Sequence, residues 1–65
     1  MKSYSSREVI RQLETAGWVR VRVTGSHYHF RHPDRPGIVT VKHPCRDIPP
    51  AALKSISRQS GIDFE

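Results

Sequence analysis

The sequence predicts an α+β domain in which a helix, a three-stranded antiparallel meander and a second helix follow one another. Two stretches with apolar residues at helical spacing flank three short segments rich in β-branched and aromatic residues. Turn sequences containing glycine or proline separate those segments. The 65 residues form one domain, 1–65, which buries only about 60% of its unfolded surface. We therefore expect a shallow, open site.

The first helix begins with a capping box. Ser5 is placed to accept a hydrogen bond from the backbone amide of Glu8, and the Glu8 side chain can reach back to the amide of Ser5. Apolar residues then recur at helical spacing, at Val9, Ile10, Leu13 and Ala16. Gly17 suits the left-handed conformation that often closes a helix. These features predict a helix over residues 6–16.

Residues 18–23 alternate strictly and predict a half-buried strand with its three valines facing inward. Trp18, Arg20 and Arg22 then face the other way. After a turn at residues 24–26, His27–His32 predicts a second strand with Tyr28 and Phe30 inward. Residues 33–37 form a turn cluster, and residues 38–42 are the third strand.

The second helix begins at Pro49-Pro50, because the amides of a first helical turn have no partner within the helix and proline therefore loses no hydrogen bond there. Gly61 closes this helix. Each helix has one apolar stripe to bury, so both lie on the same face of the sheet. The opposite face stays open and is predicted to carry Trp18, Arg20, Arg22, His27, His29 and Arg31. Cations, imidazoles and an aromatic ring on an open sheet are typical of a nucleic-acid platform.

The formal net charge of +5 favours a polyanionic partner: nucleic acid, an acidic protein or an anionic membrane surface. No apolar run is long enough to span a bilayer, and residues 1–6 lack the hydrophobic core of a signal peptide. A single cysteine, Cys45, excludes an intramolecular disulfide. These observations predict a cytoplasmic protein that is not bound to a membrane.

Several short stretches occur in one order along nearly the whole chain: Gly25-Ser26-His27-Tyr28-His29-Phe30, Val39-Thr40-Val41-Lys42-His43-Pro44, Asp47-Ile48-Pro49, Leu53-Lys54-Ser55-Ile56 and Gln59-Ser60-Gly61. This series resembles the HicA toxins of bacterial and archaeal toxin–antitoxin pairs. The resemblance implies a double-stranded-RNA-binding-like αβββα fold and a small ribonuclease, an mRNA interferase. It also implies that His27 is catalytic and that a HicB antitoxin binds the toxin and covers this site. Many relatives carry proline where this chain has Lys42.

Metal-free RNA cleavage needs a base, an acid and positive charge near the phosphorus. His27, held beside the turn residue Gly25, is the candidate base or acid. Either His43 or Lys42 lies opposite it, depending on the strand register; burial of the valines in the third strand favours Lys42. Ser26 is a further candidate helper. The candidate RNA contacts are Arg20, Arg22, His29, Arg31 and Lys42.

Two other interpretations stay open. Zinc ligands are available in His27, His29, His32, His43 and Cys45, but no pair has the spacing of a structural zinc site. Alternate residues on a strand also lie nearly 7 Å apart, which strains joint chelation of one ion. We therefore expect neither a metal nor another cofactor. A non-catalytic RNA-binding module of the same shape fits the composition equally well, and only the histidine of the Gly-Ser-His motif separates the two.

Overall fold

The computed structural model describes residues 3–64 and has the predicted order of a helix, three strands and a helix. The strands form one antiparallel sheet in the order β1-β2-β3. The five elements are α1 (Ser6–Thr15), β1 (Val19–Thr24), β2 (His27–His32), β3 (Arg35–Lys42) and α2 (Pro50–Ser60). Neither helix in this part of the chain is long and apolar enough to cross a membrane.

Helix α1 has the predicted capping box. The Ser5 side chain accepts from the amide of Glu8 at 3.2 Å, and the amide of Ser5 donates to a carboxylate oxygen of Glu8 at 2.9 Å. Its buried residues are Ser6, Val9 and Leu13. Gly17 follows the helix at φ +101°, and a Cβ added there would lie 2.8 Å from Nε2 of His32. The glycine therefore provides both a left-handed conformation and room for a neighbouring ring.

The predicted orientation of β1 is wrong for the first half of the strand, whereas Arg22 faces outward and Val23 lies on the inner side opposite Tyr28, as predicted. Trp18 is only 2% exposed, whereas Val19 and Val21 are 57% and 52% exposed. A β-bulge between Arg20 and Arg22 shifts the alternation by one residue, so that Arg20 pairs with the buried Phe30 and Arg22 with His29. A buried aromatic side chain removes roughly 150–250 Å² from water, more than a valine can, and the bulge lets the tryptophan take the interior position.

Strands β2 and β3 bury the predicted residues. Tyr28 pairs with Val41 and Phe30 with Val39, all on the face that the helices cover. Strand β3 begins earlier than predicted, because Arg35 already pairs with His32 and leaves only two residues in the turn. The register shift between Phe30 and His32 places the extra residues of β3, including Gly37 at φ +85°, in a bulge.

Helix α2 has Pro50 at its first position and ends at Gly61, which is left-handed at φ +78°, as predicted. Ile62 then folds back against the interior. One hydrophobic core joins both helices to the inner face of the sheet. Its buried residues are Tyr4, Val9, Leu13, Trp18, Phe30, Val39, Val41, Ile48, Leu53 and Ile56. In the described part of the chain, no helix covers the outer face of the sheet.

Candidate functional site

His27 begins β2 directly after a two-residue hairpin turn formed by Gly25 and Ser26. Gly25 has φ +59° at the first turn position, which is what a type II′ hairpin turn requires. A Cβ added at this glycine would meet no atom within 4 Å, so the turn is open to solvent. The His27 side chain is exposed, and its pairing with Thr24 places it on the outer face.

Lys42 is the residue directly opposite His27 in the β2–β3 ladder. The register in which His43 would face His27 is not formed, and burial of Val39 and Val41 explains why. Directly opposed residues have Cβ atoms roughly 4.5–5.5 Å apart. The side chains of His27 and Lys42 therefore leave the sheet from adjacent positions on the outer face, with the exposed Thr24 beside them.

The next row of the outer face is formed by Arg22, His29 and Thr40. Nδ1 of His29 lies 2.9 Å from Oγ1 of Thr40, which fixes the orientation of a half-buried ring. Arg31 is exposed one step further along. Strands β1, β2 and β3 contain no Asp or Glu, so no carboxylate within the sheet offsets these cations. The outer face is therefore a positively charged platform.

Two candidate site residues lie on the helix-covered side, and for His43 this follows from the register that places Lys42 opposite His27. Arg20 was expected on the outer face; because of the bulge its guanidinium lies 5.7 Å from the centroid of the Tyr28 ring. The ring of His43 lies 4.9 Å from Tyr28, edge to face, and its Nδ1 is 2.7 Å from Oγ of Ser6. His43 still supports the site through its backbone, because its amide donates to the carbonyl of Ser26 at 2.8 Å.

Ser6 holds the segment around His43 in place. It is 1% exposed, and its Oγ accepts from the amide of Cys45 at 2.8 Å. The hydroxyl proton then needs an acceptor, and Nδ1 of His43 is the one within reach. This arrangement leaves the proton of the neutral His43 ring on Nε2. Sequence reasoning missed Ser6, because nothing local links it to a residue 37 positions away.

His32, the last residue of β2, joins α1 to the sheet. Its Nδ1 accepts from the amide of Asp34 at 3.0 Å, so Nε2 carries the proton and donates to the carbonyl of Ala16 at 3.0 Å. The ring centroid lies 5.3 Å from that of Trp18. Among residues 3–64, no three His, Cys, Asp or Glu side chains are close enough together to hold a metal ion.

A family model described as HicA toxin of bacterial toxin-antitoxin matches residues 6–62, a range that includes both helices and all three strands. The chain belongs to the HicA toxin family. A solved structure of a "HicA3 and HicB3 toxin-antitoxin complex" contains a similar chain, with 32% sequence identity and a TM-score of 0.82. That likeness covers 95% of this chain and 100% of the solved one. A comparison with curated proteins finds no match.

Membership of the HicA family makes this chain the toxin type of a toxin–antitoxin pair. The Gly-Ser-His motif lies at the hairpin turn and the start of β2, and the other stretches of the resemblance form β3, the connector and α2. Lys42, where many relatives were expected to carry proline, is the last residue of β3 and faces His27. The expected departure from the family pattern therefore falls at the candidate site itself.

Proposed function

We propose that this HicA-family chain is a metal-independent endoribonuclease that cleaves mRNA and thereby blocks translation. The observation that carries the proposal is the pairing of the exposed His27 with Lys42 on a sheet whose strands contain no carboxylate. Imidazole moves protons near neutral pH, and an adjacent ammonium group stabilises negative charge on phosphate. The shallow platform also suits a polymer better than a small metabolite.

In the proposed reaction the ribose 2′-oxygen loses its proton, attacks the adjacent phosphorus, and the bond from phosphorus to the 5′-oxygen breaks. The products are a 2′,3′-cyclic phosphate and a 5′-hydroxyl, and the leaving oxygen gains a proton. His27 transfers one of the two protons that move. Lys42 stabilises the added negative charge on the non-bridging phosphate oxygens. Because the nucleophile is the 2′-hydroxyl, DNA is not a substrate.

Binding of the strand on either side of the cleaved bond is assigned to the rest of the outer face. Arg22 and Arg31 supply guanidinium groups for phosphates, and the ring of His29, oriented by Thr40, contacts a phosphate or stacks on a base. The hydroxyl of Ser26, in the turn beside His27, remains a candidate donor to a phosphate oxygen. Most of this affinity is electrostatic, so we expect it to fall as salt concentration rises.

The proposed protein partner is a HicB-like antitoxin, acting in the cytoplasm. The similar solved chain is described in a complex of HicA3 with HicB3. A net charge of +5 and a carboxylate-free sheet favour an acidic partner that competes with RNA for the outer face. The expected outcome is that a purified antitoxin inhibits cleavage and is displaced more easily at high salt.

The decisive experiment compares RNA cleavage by the native chain, His27→Gln and His29→Gln, with mapping of the RNA ends. Glutamine keeps a polar side chain but transfers no proton, so the His27 variant should lose at least about 100-fold in rate. His29→Gln is the matched control and should mainly weaken binding. Cyclic-phosphate ends should appear with the native chain, with and without EDTA.

Three results would contradict the proposal. Full activity of His27→Gln would remove this residue from the chemistry. Loss of activity in EDTA would refute metal independence. RNA that the native chain binds tightly but leaves intact would favour a non-catalytic RNA-binding module of the same fold.

A further inference from the structure

A second concave surface lies on the other side of the sheet, between α1 and the inner side of β1 and β2. The cleft has a volume of about 340 Å³. Arg7 and Arg11 line it from α1, Arg20 and Tyr28 from the sheet, and His43 from the segment after β3. Of these residues, the sequence marked only Arg20 and His43 as candidate site residues. Arg7 and Arg11 were not candidates, because their spacing is that of an ordinary solvated helix face.

The cleft is strongly cationic. Three guanidinium groups line it and are accompanied by a single carboxylate, that of Glu14. Arg7, Arg11 and Glu14 are spaced by four and three residues, so they share one face of α1. Within residues 3–64, no ion pair joins Glu14 to any of the arginines. The positive charges are therefore available to an anion from outside.

Two further donors in the cleft are held in place by the fold. Ser6 engages Nδ1 of His43, so the ring turns its Nε2–H away from that buried hydroxyl. The centroid of the Tyr28 ring lies 4.9 Å from that of the His43 ring and 5.7 Å from the guanidinium carbon of Arg20. Neither Nε2 of His43 nor the Tyr28 hydroxyl bonds to a protein group in the described part of the chain. An oriented imidazole and a phenol therefore join the guanidinium groups.

We propose that this cleft is a second RNA-contacting site, which holds a phosphate group and its nucleoside beyond the bond cut at His27. Guanidinium groups bind phosphate through paired hydrogen bonds, and the Tyr28 hydroxyl can form a hydrogen bond with a base or ribose. The cleft volume is near the lower end of the range for ligand pockets, roughly 300–1,000 Å³, so the cleft suits one nucleotide rather than a longer segment. The inference rests on the proposed RNA substrate.

The cleft and the His27 site lie back to back at one end of the sheet. Tyr28 follows His27 in β2, and His43 follows Lys42, so each neighbouring pair faces opposite sides. The shortest principal extent of the Cα positions is only 18 Å. An RNA strand several nucleotides long can therefore pass round this end of the sheet and contact both sites. A binding platform on the outer face alone does not predict contacts in the cleft.

The test measures binding of a short 2′-O-methyl RNA, which lacks the nucleophile and stays intact, by fluorescence anisotropy at several salt concentrations. The variant is Arg7→Gln with Arg11→Gln. The matched control is Lys54→Gln with Arg58→Gln, which removes the same charge at the same four-residue spacing from α2. Arg7 lies in the first turn of α1, where a cation opposes the helix dipole, so its loss should not destabilise the fold.

We expect the α1 variant to bind about tenfold more weakly at moderate salt, as for two exposed charge contacts, while the control changes little. Its log–log salt dependence should become shallower by about 0.7 for each lost phosphate contact. Equal weakening in the control, or unchanged binding in the α1 variant, overturns the inference. Loss of antitoxin binding with unchanged RNA affinity also overturns it and assigns the cleft to a protein. Because the RNA is not cleaved here, each of these results is independent of the His27→Gln cleavage assay.

Discussion

Replacing Ser6 with alanine should remove a large share of the stability of this domain. The hydroxyl accepts from the amide of Cys45 at 2.8 Å and contacts Nδ1 of His43 at 2.7 Å, in a site that is 1% exposed. A buried amide left without a partner costs about 1–3 kcal/mol, and a second lost hydrogen bond about 1 kcal/mol. Alanine recovers about 0.5 kcal/mol through helix propensity. We expect a net loss of about 2–3 kcal/mol.

The loss would be measured by urea unfolding, followed by the fluorescence of the buried Trp18. A domain of this size has a stability of roughly 3–5 kcal/mol, so the transition midpoint should fall by about half or more. Ser55→Ala is the matched control, since Ser55 is half-buried in α2, and it should leave the midpoint nearly unchanged. A change below about 0.5 kcal/mol for Ser6→Ala would refute the role assigned to the hydroxyl.

Three further predictions concern single positions. Gly17→Ala should destabilise the fold by about 1 kcal/mol more than Gly37→Ala, as measured by thermal unfolding. Both glycines are left-handed, but only at Gly17 would the added Cβ contact another side chain, that of His32. Val21→Thr should change the unfolding free energy by less than about 0.5 kcal/mol because the residue is exposed, and a larger loss would contradict the bulge. Lys42→Gln should slow RNA cleavage about tenfold, and Lys42→Arg, which keeps the positive charge, should slow it much less. Equal cleavage rates for the two variants would show that the charge at position 42 has no part in the mechanism.

Local chemistry made the ends of both helices predictable. The capping box of Ser5 and Glu8, Pro50 at the first position of α2 and the left-handed Gly61 all depend on neighbours within a few residues. The register that brings Lys42 opposite His27 was also predictable, because that register places Val39 and Val41 on the buried face with Tyr28 and Phe30.

Other features depend on contacts between distant segments. The alternation of β1 favoured inward valines, but the packing of Trp18 decided the outcome through a bulge. Pro36-Gly37 is an ordinary turn sequence, yet it also fits the bulged start of β3. The cleft on the inner side depends on both effects, since the bulge brings Arg20 to Tyr28 and a buried hydroxyl orients His43.

The ladder between β2 and β3 makes the chain intolerant of changes in the length of these two strands. His27 and Tyr28, like Lys42 and His43, are consecutive residues on opposite sides of the sheet. Inserting or deleting one residue in the strands would exchange the members of each pair, turning the tyrosine outward and the histidine inward. A single substitution in this segment therefore alters one of the two surfaces, whereas a single-codon insertion or deletion would disable both together.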